Sequence, residues 1–214
     1  GTDFPKIEFE LFGLQLLEPN GFIGNMLITI TAIFFAWKIR NFVSNHSFYK
    51  YWFLFYIIFG LTFFSGSFGH LLYNYTGISG KYVSWYLGII FPYFVEVASI
   101  KIHPNVDKRK TLMKFPIIKL VLFIFLQTAI ILHYGENLTS EKGVLISSLS
   151  SVVGMGICLG LISPFYQRRI DQNFKFFWIS TLFQVGAGII QIIKLNIHPY
   201  FDRNDLSHLL IVFS

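Results

Sequence analysis

FPIIKLVLFIFLQTAIILH, residues 115–133, decides the fold of this chain. Lys119 is the one Lys, Arg, Asp or Glu within it. A helix rises about 1.5 Å per residue, so about 20 such residues cross the hydrocarbon layer of a bilayer. Working outward, five more runs have the same character: Gly21–Trp37, Tyr51–Leu72, Val83–Ile100, Val144–Phe165 and Phe174–Ile193. A seventh begins near Leu206 and reaches Ser214, too few residues to cross as a helix, so a short or truncated seventh helix is expected. Continuous apolarity at these lengths excludes barrel strands, which alternate. The expected fold is all-α: a polytopic transmembrane helix bundle in one domain, residues 1–214, with helices near 21–37, 51–72, 83–100, 115–133, 144–165, 174–193 and 206–214.

Composition points the same way. Of the 214 residues, 54% are hydrophobic and only 13% charged, and the mean hydropathy is +0.58. Soluble domains carry about 25% charged residues, so there is too little charge here to cover a water-facing surface. A soluble globular enzyme is excluded, as are disordered and fibrous chains, because the apolar content is high and no short repeat is present. The single Cys158 lies in an apolar run, which excludes a disulfide framework. Gly1–Glu10 has no basic segment followed by an apolar one, so no intact signal peptide is expected.

The net charge of +6 falls between the apolar runs rather than in a nucleic-acid-binding patch. Segments 38–50, 101–114 and 165–175 hold eleven Lys and Arg, whereas the N-terminus and the other three loops hold five: Lys6, Lys81, Lys142, Lys194 and Arg203. The positive-inside rule then predicts an integral, multi-pass protein with its N-terminus outside and loops 38–50, 101–114 and 165–175 cytoplasmic. Eight of the eleven acids lie on the basic-poor side.

Within the spans, small residues mark close helix approach. Ser147, Ser148, Ser150, Ser151, Gly154, Gly156 and Gly160 cluster in the fifth run, with Gly156 and Gly160 at GxxxG spacing. Pro92 and Pro116 are expected to bend the third and fourth helices. Glu96 and Lys119 lie at similar depth on successive antiparallel helices, where an ion pair relieves both desolvation costs. The functional alternative for Glu96 is a proton or ion relay. Gln184 and Gln191 share one helical face, suited to interhelical hydrogen bonds.

The histidines are more organised. His70, His133, His198 and His208 all fall at the predicted outer face. Asn204 and Asp205 precede His208 by four and three residues, so the three side chains share one helical face, as do Ser67 and His70. Two imidazoles and a carboxylate suit Zn²⁺ with an open water position. Such a metal lowers the pKa of its bound water to about 7 and supplies a nucleophile for an amide or ester. His70, Asp205 and His208 are the candidate ligands.

At these residues the chain resembles the seven-helix superfamily of alkaline ceramidases and progestin/adiponectin-type receptors. Glu18 followed by Asn25 resembles the start of the ceramidase helix 1. Ser65-Gly66-Ser67-Phe68-Gly69-His70 resembles the end of helix 2, and Asn204-Asp205-Leu206-Ser207-His208 matches the second His of an HxxxH on helix 7. The resemblance implies a membrane-embedded zinc amidase. The chain departs from it in three places: Asn204 stands for the first His, Gly66 stands for the Ser four residues before the helix 2 His, and no acid follows in Tyr73–Trp85.

The leading expectation is therefore a ceramidase-like lipid hydrolase with an outer-facing site between helices 2 and 7. In it His70 and His208 hold Zn²⁺, Asp205 is the third ligand or general base, and Ser67 stabilises the oxyanion or positions substrate. One alternative is a non-enzymatic seven-helix receptor or lipid-binding protein. Another is a small solute or ion transporter using Glu96. Membrane lipids are the expected partners, and nucleic acid is not.

Overall fold

The computed structural model describes residues 6–214. Its first element is a hairpin of β1 (Glu8–Leu11) and β2 (Leu14–Leu17), antiparallel with Glu8 opposite Leu17. The two residues between them, Phe12 and Gly13, both have positive φ, 52° and 77°, the combination that fits the right-handed twist of a two-residue hairpin. Six helices long and apolar enough to cross a membrane follow among the described residues. Their cores are α1 (Pro19–Ile39), α2 (Ser47–Leu71), α3 (Tyr82–Lys101), α4 (Lys114–Tyr134), α5 (Ser140–Arg169) and α6 (Lys175–Ile192). The shorter α7 (Arg203–Phe213) closes the order. The six long runs read from hydropathy all become helices, with boundaries shifted by a few residues at capping positions.

Those ends follow local chemistry. Pro19 occupies the first turn of α1, where its missing N–H costs nothing. Thr139 caps α5 by accepting from Lys142 N, and Asp202 and Asp205 form a reciprocal capping box on α7. Pro116 also sits in a first turn, that of α4, so the bend expected there has no cause; Pro92 is interior to α3. Within α5, Gly156–Ile162 forms a π-helical turn. Pro164 follows it, unable to donate to Gly160, and the Ser163 hydroxyl donates to the freed stretch at the Leu159 carbonyl.

The helices α1, α2, α3, α5, α6 and α7 pack in a closed order, each against the next and α7 back against α1. Helix α4 lies outside, against α3 and α5. The seventh helix thus neighbours α1 and α6, and the His208 ring reaches α2 edge-on at Phe63, centroids 6.0 Å apart. The close approach of α3 and α5 uses part of the small-residue cluster expected there, Ser147, Ser150 and Gly154, together with Gly143, and not the Gly156–Gly160 pair. A methyl on Gly143 would overlap the Trp85 ring and one on Gly88 would meet the Ser147 hydroxyl, while Ser150 Oγ donates to the Ile89 carbonyl at 3.3 Å. Spacings of four, three and four put Gly143, Ser147, Ser150 and Gly154 on one face. Gly156 faces open space, and Gly160 faces Thr181 of α6.

At one end of the bundle the N-terminal hairpin, the α2–α3 connection, the α4–α5 connection and the α6–α7 connection gather. Gln15 N donates to Tyr75 Oη at 2.9 Å, Lys81 Nζ to Ser140 Oγ at 3.3 Å, and the Asn20 amide to the Tyr200 carbonyl. These are the basic-poor segments, so the sorting by charge coincides with a sorting in space.

Candidate functional site

The candidate site lies at this basic-poor end, where α1, α2 and α7 begin or finish. Glu18 precedes α1 in a left-handed conformation, φ 50° and ψ 61°, with its N–H held by the Ile7 carbonyl at 2.9 Å. That turn aims its carboxylate at the last turn of α2, where Glu18 Oε2 contacts His70 Nδ1. The other oxygen pairs with Lys6, and Lys6 Nζ lies 3.9 Å from Asp202 Oδ2 at the head of α7. Burial lowers the Lys6 ammonium from the usual lysine range, against the opposing pull of Asp202. Carboxylate, imidazole and ammonium thus tie the hairpin, α1, α2 and α7 together. Beside them, Lys6, Glu18, Asn20 and Asp202 line a small open cleft.

His208 projects from α7 between α1 and α2. A Cβ built on Gly24 would stand 2.8 Å from His208 Nδ1, so only a glycine leaves the ring its place. That nitrogen is buried and has no hydrogen-bond partner among the described residues. His70 lies close enough to His208 to act on it electrostatically. With Nδ1 engaged by Glu18, the free ring nitrogen of His70 is Nε2, the arrangement in which a carboxylate orients an imidazole for use as a base or metal ligand.

The remaining candidates are placed as follows. Ser67 is fully buried in the α1–α2 interface, where its hydroxyl donates to the Phe64 carbonyl at 2.6 Å and lies 3.6 Å from Met26 Sδ. Asp205 accepts from Asp202 N at 3.0 Å, its half of the capping box. Asn204 Oδ1 accepts from Gln191 Nε2 at 3.1 Å; the same amide nitrogen reaches Ser207 Oγ at 2.8 Å and the Arg203 carbonyl at 3.2 Å, which is the interhelical role expected of Gln191. Among the described residues no group of three His, Cys, Asp and Glu side chains stands at metal-binding spacing. Glu18 entered the sequence reading only through its place in the helix 1 resemblance. An acid abutting Pro19, at the depth where α2 ends in His70, was the available signal.

Glu96 and Lys119 form a separate polar centre among α3, α4 and α5. The two are 2% and 4% exposed and paired, and Lys119 Nζ also donates to the Ser150 carbonyl at 3.2 Å. The expected pairing is present.

No curated protein and no solved structure matches the chain. A family of unknown function, DUF6962, matches residues 21–214, which takes in α2 to α7, all but the first two residues of α1, and both site histidines. The chain belongs to the DUF6962 family.

Proposed function

We propose that this chain is a multi-pass membrane protein that acts on a lipid at the basic-poor end of its bundle, as a ceramidase-like lipid hydrolase. The observation that carries the reading is the pair of imidazoles: His70 contacted by Glu18, and His208 with a buried nitrogen that no described residue satisfies. A buried polar atom left unpaired costs free energy, and a ligand bound at His208 Nδ1 would relieve that cost.

Zn²⁺ suits two imidazoles with an adjacent carboxylate. His70 and His208 are the two nitrogens in this reading, and Asp205 is the carboxylate, which must give up its bond to Asp202 to serve. When bound, such a metal activates water toward an amide or ester. Glu18 keeps His70 in the tautomer that leaves Nε2 free. Ser67, one turn before His70, serves the oxyanion by turning its hydroxyl from the Phe64 carbonyl.

The second reading, a lipid-binding receptor of the same layout, is favoured by the engagement of Asp205 and Asn204 in α7 capping and in the Gln191 contact. Metal content separates the two. Wild type purified without chelator is expected to hold about one equivalent of zinc, and His208→Ala and His70→Ala to lose it. Wild type holding less than about a tenth of an equivalent sinks the hydrolase and leaves the receptor.

A further inference from the structure

At the opposite end of the bundle, segments 38–50, 101–114 and 165–175 carry eleven Lys and Arg against only Asp107 and Asp171. The structure brings them together: Phe48 and Phe174 have ring centroids 6.2 Å apart, and His103 stacks on Phe165 at 6.4 Å. Among the described residues none of the eleven cations is in an ion pair. So much uncompensated charge on one end of a bundle requires counter-ions, and a particular part of it is pre-ordered.

A short helix, Val106–Leu112, crosses this end before α4 and is capped by Asn105, which accepts from Lys108 N at 3.0 Å. Half-buried Arg109 is fixed by its Nε donating to the His103 carbonyl at 2.8 Å, which leaves both terminal nitrogens of the guanidinium for an acceptor. That fork matches the geometry of a phosphate. Lys108, Lys110 and Lys114 are exposed beside it. The flanking apolar side chains Val106 and Leu112 are 63% and 39% exposed. Across the end, Trp37 is exposed with Lys38 Nζ and the Arg40 guanidinium 5.4 and 5.3 Å from its ring. Cations mixed with exposed aromatic and aliphatic groups are the composition of a membrane interface.

We propose that Arg109, with Lys108, Lys110 and Lys114, forms a binding site for the phosphate headgroup of an anionic phospholipid. Charge complementarity selects the anionic lipid, the adjoining apolar side chains select a lipid over a soluble phosphate, and Arg109 supplies the oriented contact. The inference rests on the membrane reading above and is independent of the histidine site.

Full-length protein is reconstituted into nanodiscs of phosphatidylcholine, alone or with a minor fraction of phosphatidylglycerol, and the retained lipid is counted by native mass spectrometry. Wild type is expected to retain phosphatidylglycerol about tenfold over its share in the disc, with the preference falling as salt rises. Arg109→Gln is expected to lower that preference about fivefold and Lys108→Gln/Lys110→Gln at least as much. Arg109→Lys, which keeps the charge without the fork, is expected to fall between Arg109→Gln and wild type. The two exposed lysines carry no structural bond, so their variant keeps the test valid where Arg109→Gln fails to fold. No preference in wild type overturns the site. So do equal retention by the variants and displacement of the lipid by millimolar inorganic phosphate. Failure to enter neutral nanodiscs at all overturns instead the membrane reading on which the site rests.

Discussion

Lys119 of α4 pairs with Glu96 of α3 inside the bundle, and Gly154 of α5 is the residue that leaves them room. A Cβ on Gly154 would collide with the Glu96 carboxylate, stand 2.7 Å from Lys119 Nζ and 2.9 Å from Pro92 Cβ. Three helices are therefore fixed to one another by one charge pair and one missing side chain. Removing a single partner strands a charge in a low-dielectric interior. Lys119→Met is expected to destabilise by about 3–5 kcal/mol, whereas Glu96→Leu/Lys119→Met, which removes both charges, loses much less. Thermal unfolding in detergent checks this, and equal losses for the single and double variants would contradict it.

Gly154→Ala tests the same contact by bulk instead of charge. Overpacking is expected to cost about 1–3 kcal/mol. Gly156→Ala, two residues away and facing open space, is expected to leave the unfolding midpoint unchanged. The comparison separates the stripe that packs on α3 from Gly156, which faces open space.

Glu18 and Gly24 support the histidines from α1, one by charge and one by space. Glu18→Gln keeps the shape but removes the carboxylate that contacts His70, and under the proposed zinc reading is expected to weaken zinc affinity about 10–100-fold. Gly24→Ala displaces the His208 ring and is expected to lower metal content without a matching loss of helix content by circular dichroism. Unchanged zinc binding in both variants would show that neither histidine is held for a metal.

Gln191 is the main polar tie between α6 and α7, with its amide reaching the Arg203 carbonyl, Asn204 and Ser207. Gln191→Leu leaves those acceptors unpaired, at a cost of about 1–3 kcal/mol. The expected readout is local: faster hydrogen exchange in Arg203–Phe213 with exchange in α2 and α3 unaltered. Uniform acceleration along the chain would mean that α7 is not a separable element.

A cysteine at Lys110 is expected to stay unlabelled by impermeant thiol reagents in intact cells and to react after permeabilisation, and one at Glu10 to show the opposite pattern. Labelling of Lys110→Cys in intact cells inverts the orientation derived from the loop charges.

The spans were legible because the signal is local. The run 115–133 holds a single charged residue, Lys119, and its hydrophobic length alone requires a helix there, whatever its neighbours. The sorting of basic and acidic loops to opposite ends was also legible, since six successive long helices carry the loops to alternate ends. The Glu96–Lys119 pair could be anticipated because depth on consecutive helices is countable, and because two buried charges have few other ways to be satisfied.

What the sequence by itself determined, then, is how many long apolar helices there are, where each begins and which loops share an end. Which helices touch was decided only in three dimensions. In a membrane the face that meets lipid and the face that meets another helix are equally apolar, so hydropathy carries no lateral information. The choice of α1 and α6, rather than α2, as neighbours of α7 depends on features no periodicity reports: the gap at Gly24 that admits His208, and the three contacts of Gln191. Glu18 meets His70 for the same reason. A left-handed turn before Pro19 and the packing of α1 on α2 bring together two residues whose separation in the chain gives no hint that one orients the other.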